Sequence, residues 1–176
     1  MPESFLAGAI KEFSRYKELG EKAISQMPDD KLFWLYNEES NSVATIVKHL
    51  TGNMISRWTD IFDTDGEKEW RMRDEEFVND LETRDEVLKI WNKGWEKLFE
   101  TLNSLTQMDL EKTIYIRGEA HTVTEAILRQ LAHYPYHVGQ ILFIGKMALN
   151  TEWHSLSIPK NKSGDFNAAK FSVDKR

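Results

Sequence analysis

His133 and His137 stand four residues apart in the segment His133-Tyr134-Pro135-Tyr136-His137, inside a long apolar pattern. Imidazoles at that spacing can hold one divalent ion from one face of a helix. An ideal helix turns about 100° per residue, so the two side chains differ by about 40° in direction and about 6 Å in height. On the same wheel Ala126 and Ile144 fall between them in angle, so the pair faces inward with the apolar arc of its helix. Inward imidazoles need partners, because an unsatisfied buried polar group is costly. They find them as metal ligands or as hydrogen-bonded core groups, and the spacing leaves both readings open. Pro135, between them, removes one backbone N–H and favours a kink.

A catalytic metal site takes three protein ligands plus open positions. The chain has five histidines. His121 precedes the helix that carries the pair and His154 follows it. His49 falls in the middle of another helical pattern, at the edge of its apolar stripe, with Asn53 one turn on. A facing bundle helix can bring His49 level with the pair, which makes it the best third ligand. There is no cysteine, so disulfides, thiolate ligands and cysteine nucleophiles are excluded. A metal here takes His, Asp, Glu or water, the donor set of borderline and harder divalent ions. The run Asp63, Asp65, Glu67, Glu69 alternates like the start of a calcium loop. Gly66 at its fourth position and Asp74 at its twelfth break that pattern, and a solvated turn is the better reading.

Four long helical patterns must position these residues. The first covers about Ser4 to Gln26, with Phe5, Leu6, Ile10, Phe13, Tyr16 and Leu19 at helical spacing, and Met27-Pro28-Asp29-Asp30 ends it. Leu32 to Tyr36 reads as a short buried turn. The second helix starts after Asn41-Ser42, either of which can cap it, and extends to about Phe62. Asp63-Thr64-Asp65-Gly66 is a turn signal. Glu67 to Glu82 is charged but holds Trp70, Met72, Phe77 and Leu81, and is expected to be an ordered crossover. Thr83-Arg84-Asp85-Glu86 is a capping box opening a third helix to about Leu105. Asp109 to Thr122, with Ile114-Tyr115-Ile116 and Gly118, carries a hairpin signal. Thr122-Val123-Thr124-Glu125 is a second capping box, opening the helix of the histidine pair, which reaches about Leu149 and Asn150. The reading is all-α, a four-helix bundle over residues 1–154 with a long crossover between helices 2 and 3. A C-terminal extension, 155–176, is expected to be partly ordered, with Leu156, Ile158, Pro159, Phe166 and Phe171 available to pin it.

The 176 residues are 40% hydrophobic and 11% aromatic, enough for one domain with a real core. The net charge is −6 with no basic run, which argues against nucleic acid as a main partner. No stretch approaches the ~20 apolar residues of a membrane span, and Met1 to Phe13 has no signal-peptide pattern. A soluble cytoplasmic protein, acting on a small molecule and forming a homodimer, is the expectation.

The stretch Val47-Lys48-His49-Leu50, together with His133 and His137 on the last long helix, resembles the DinB/YfiT-like superfamily. The segments Trp70-Arg71-Met72-Arg73-Asp74-Glu75-Glu76-Phe77, Arg117 to Val123 and Ala132 to Gln140 resemble its DUF1572 branch. The likeness covers residues 1 to 160, near enough the whole bundle. It implies a four-helix bundle holding zinc, nickel or manganese through three histidines, by position His49, His133 and His137. It also implies relatives that use a low-molecular-weight thiol, among them S-transferases and an isomerase.

Three functions follow as expectations. In a metal-dependent thiol S-transferase the ion lowers the pKa of a substrate thiol. Asn53, Gln130 and Tyr136 are then candidate supporting or substrate-contacting groups, against their plain reading as packing or helix-surface polarity. A hydrolase would activate water at the same site and need a general base. Glu125 is the nearest acid on that helix, though its capping-box place accounts for it. A non-catalytic bundle with a structural metal would use exposed aromatics among Trp58, Trp70, Trp91, Trp95 and Trp153 to meet a partner.

Overall fold

The computed structural model describes residues 4–173. Helix α1 (Phe5–Gln26) is capped by the Ser4 hydroxyl, which accepts the Ala7 N–H at 3.3 Å. Helix α2 (Val43–Trp58) opens on a reciprocal box between Ser42 and Thr45. Helix α3 (Arg84–Ser104) opens on the Thr83–Glu86 box. Strands β1 (Thr113–Ile116) and β2 (Glu119–Thr122) form an antiparallel hairpin pairing Thr113 with Thr122 and Ile116 with Glu119. Helix α4 (Val123–Leu149) opens on the Thr122–Glu125 box and runs on through Pro135. Helix α5 (Ser163–Val173) follows. Each expected cap is in use, because each satisfies backbone donors that the first helical turn otherwise leaves orphaned.

Helix α2 packs on α3, α1 packs on α4, and α2 also meets α4, giving a four-helix bundle. The core between them holds Phe13, Trp58, Trp91, Trp95 and Tyr134, all fully buried. Trp58 Nε1 donates to the Tyr134 hydroxyl at 2.9 Å, and that hydroxyl donates to Asn53 Oδ1 at 3.1 Å. This chain fixes α2 against α4 one turn from the histidines. No helix of the described residues is long and apolar enough to cross a membrane.

Two expectations are corrected, and the ordered crossover and partly ordered extension are observed as expected. Helix α2 stops at Trp58, not Phe62: Thr59 leaves the helix with ψ 129°, Asp60 follows at φ 44°, and Ile61 is buried in the core. The turn after α1 buries Leu32 only; Leu35 and Tyr36 are exposed. The crossover is ordered: Trp70 and Met72 are exposed, Phe77 stacks on the His49 ring at 5.0 Å, and Leu81 packs against the core. Polar contacts to α2 also hold it. Lys48 Nζ donates to Val78 O at 2.9 Å, and Ser56 Oγ donates to Gly66 O at 3.0 Å. In the extension only Leu156 packs on the core; Ile158, Phe166 and Phe171 are exposed. The last three residues of that extension lie outside the described residues.

Candidate metal centre

Helix α2 delivers His49 and α4 delivers His133 and His137 to one point. His133 Nε2 lies 3.1 Å from His137 Nε2 and 3.4 Å from His49 Nε2. One donor atom from each ring lies within 4.8 Å of the others. Nitrogens bound to a common ion at about 2.0–2.1 Å, with angles between octahedral and tetrahedral, stand roughly 2.9–3.4 Å apart. The two shorter separations match that range.

The other ring nitrogens decide the tautomers. His49 Nδ1 is 2.9 Å from Glu76 Oε2, His133 Nδ1 is 3.1 Å from Gln130 Oε1, and His137 Nδ1 is 2.7 Å from Gln140 Oε1. Each Nδ1–H donates to an oxygen, so all three Nε2 atoms present lone pairs to the same point. Three converging lone pairs repel one another and are complementary to a cation. Burial pushes His133 down to about 3, and the neighbouring His137 and His49 rings add to the shift. Burial lowers His137 as well. Both rings are therefore neutral near pH 7, the form that binds metal.

Glu76 is the carboxylate behind His49, and the sequence reading assigned it no role. Burial alone would raise its pKa, but hydrogen bonds from His49 and Arg71 and the Arg71 charge hold it below the ordinary range. Arg71 grips both its oxygens, with Nε to Oε1 at 2.7 Å and Nη2 to Oε2 at 2.8 Å. Gly52 makes room for this carboxylate: a Cβ there would stand 2.1 Å from Glu76 Oε1. A glycine one turn after a helical histidine was the available sign that something closes on that face.

The expected supporting residues divide. Gln130 is buried and holds His133. Asn53 lines the cavity beside the histidines while accepting from Tyr134. Tyr136 is 61% exposed, and its ring stands 4.9 Å from that of His137. Gln140, one turn beyond His137, does for that ring what Gln130 does for His133 and was missed. Glu125 caps α4, accepting the Thr122 N–H, and takes no part in the site. His121 lies on β2 and His154 beyond α4; neither joins the cluster. Trp58, Trp91 and Trp95 are core and Trp70 is exposed.

The acidic turn has a structural use. Asp65 accepts the N–H groups of Glu67, Arg117 and Gly118 at 2.7, 2.8 and 2.7 Å, locking the hairpin tip to the end of α2. Arg117 and Gly118 adopt φ 56° and 75°, the left-handed pair a two-residue hairpin turn requires.

Two cavities flank the histidines. One, of about 330 Å³, is lined by the three rings with Asn53, Gln130, Phe77 and several arginines. The other, of about 740 Å³, is an apolar groove that includes Trp34, Tyr36, Tyr136, Phe143 and Met147. Gln140 lines the groove and also holds His137, so the groove borders the histidine cluster.

Residues 1–162 match the family model described as "Protein of unknown function (DUF1572)". The chain belongs to that family. No curated protein and no solved structure matches it.

Proposed function

From membership of that family, we propose that this protein is DinB/YfiT-like and binds a divalent ion, zinc, nickel or manganese, through His49, His133 and His137. We propose further that it serves as a metal-dependent thiol S-transferase. The observation that carries the metal reading is the convergence of three Nε2 lone pairs, each ring fixed by an oxygen at its Nδ1. Bound there, the ion supplies Lewis acidity that lowers the pKa of a coordinated thiol.

The surrounding residues favour thiol chemistry over the alternatives. Among the described residues no carboxylate lines the cavity beside the rings, so a hydrolase would lack its general base. A thiol bound to the ion needs none, since its proton can leave to solvent. A fully liganded structural site would need a fourth protein ligand, and the described histidine, aspartate and glutamate side chains offer three. In this reading Gln130, Gln140 and Glu76 orient the imidazoles, and Asn53 faces the bound substrate. The groove beside His137 takes the apolar body of the electrophile, with Tyr136 at its edge. The protein acts in the cytoplasm as a homodimer, the bundle over 1–154 being the functional domain and 155–176 an appendage.

Metal analysis of the dialysed protein beside His49→Ala and His133→Ala tests the site. About one ion per chain is expected in the parent and a large loss in both variants. Equal contents in all three reject it. Thiol-transfer assays with an electrophile and added divalent ion test the reaction. No turnover with any low-molecular-weight thiol, in protein that does hold the ion, rejects the transferase and leaves the metal site standing.

A further inference from the structure

The cavity beside the three imidazoles is lined by five arginines, Arg57, Arg71, Arg73, Arg117 and Arg129. The chain as a whole carries a charge of −6, so this concentration runs against its overall balance. Arg71 is accounted for: Glu67 and Glu76 take all its nitrogens. The others are not. Glu67 is shared, lying 3.0 Å from Arg71, 3.5 Å from Arg117 and 3.9 Å from Arg57. Arg73 and Arg129 form no ion pair among the described residues.

Arg57 is the sharpest case. It projects from α2, two turns beyond His49, and is 4% exposed. Its Nε and Nη1 are buried without a hydrogen-bond partner, and its Nη2 stands beyond hydrogen-bond reach of Glu67. A guanidinium removed from water with its donors unused costs stability unless an anion meets it. Burial draws its pKa below the ordinary arginine value, and the nearby Arg129 and Arg71 charges act in the same direction. A divalent ion on three neutral imidazoles adds two more positive charges to the same cavity. A neutral or cationic ligand would leave all of this uncompensated. Guanidinium forks match carboxylate and phosphate oxygens, and hydrogen bonds to charged partners are the strong ones.

We propose that this cavity is an anion subsite: the small molecule that reaches the metal carries a carboxylate or phosphate group, received by Arg57 and Arg129 with Arg117 and Arg73 at the rim. The proposal rests on the metal–thiol reading for which atom meets the ion, while the anion contact stands on the arginines alone. Arg57 and Arg129 are then specificity determinants, selecting among thiols.

Nickel-loaded full-length protein provides the test, because sulfur-to-nickel charge-transfer absorption reports thiol binding and calorimetry reports affinity, both without turnover. The probes are 3-mercaptopropionate, 2-mercaptoethyl phosphate, uncharged 2-mercaptoethanol and inorganic phosphate. The anionic thiols should bind at least about tenfold tighter than 2-mercaptoethanol, and Arg57→Gln and Arg129→Gln should each erase most of that preference. The better of the two anionic thiols identifies carboxylate or phosphate as the group. Arg129 is exposed, so its variant keeps the test usable if Arg57→Gln does not fold. Equal affinity for charged and uncharged thiols, with the charge-transfer band present, overturns the anion subsite and leaves the thiol reading intact. Phosphate binding that depends on Arg57, with no thiol giving the band, supports the subsite and removes the thiol. Binding of no probe overturns both.

Discussion

At the scale of single residues, the centre depends as much on what stands behind the imidazoles as on the imidazoles. Glu76 holds His49 in the tautomer that points Nε2 at the shared point, and Arg71 keeps Glu76 ionised and in place. Glu76→Gln should therefore lower metal affinity about 10- to 100-fold, the usual cost of losing such an outer partner. Competition against a chelator of known affinity checks this, and an unchanged constant would place Glu76 outside the metal's control. The same substitution unpairs part of a buried guanidinium, so some loss of stability should accompany it. The three clustered histidines were legible in the chain because i, i+4 spacing and a mid-helix position are local patterns. Glu76 and Arg71 were not. They reach the site from a crossover 22 and 27 residues after His49, and only the folded chain brings that segment onto α2.

At the scale of elements, one glycine and one aspartate show how the scaffold is set. Gly52 costs α2 about 1 kcal/mol of helix propensity relative to alanine. That cost is offset by function: a side chain there would displace the Glu76 carboxylate. Gly52→Ala should leave the helical content intact, by circular dichroism, yet weaken metal binding about tenfold. Metal affinity equal to the parent's would mean that Glu76 can shift without consequence. Asp65→Ala removes the acceptor of three backbone N–H groups at the hairpin tip and should cost about 1–3 kcal/mol in urea unfolding. The four bundle helices were readable to within a residue at their starts, because capping boxes are sequence signals with a local mechanism, whereas α5 in the extension was not read as a helix. The end of α2 was not readable, since Thr59 leaves the helix in an extended conformation ahead of the left-handed Asp60 with no local signal for it. The order of the crossover was legible from its apolar residues, but not what holds it. Leu81 packs on the core and Phe77 on His49, and Lys48, Ser56, Arg71 and Glu76 add hydrogen bonds and charge.

At the scale of the whole molecule, acid should attack fold and site together. In the metal-free protein His133 has its pKa held near 3 when folded, against 6.5 for the free side chain. Above 6.5 the ring is neutral in both states and contributes no pH dependence. Between 6.5 and about 3 the unfolded chain takes up a proton that the folded chain refuses, so stability falls with pH across that window. Glu76 and Asp65 act in the same direction at lower pH, since both are held below their ordinary values and lose that advantage on protonation. An ion on three imidazoles adds a second dependence, because protons compete for the same nitrogens. Bound metal raises the melting temperature by mass action, and the increment should be several degrees at pH 7.5. It should persist to about pH 5 and shrink towards zero as pH approaches 3, where the folded His133 ring takes up its proton. Melting curves with and without chelator across that range measure the increment directly. An increment already lost near pH 6 would detach the ion from these buried rings. One that fades only as pH approaches 3 ties it to them, and with it the tautomers that Glu76, Gln130 and Gln140 enforce.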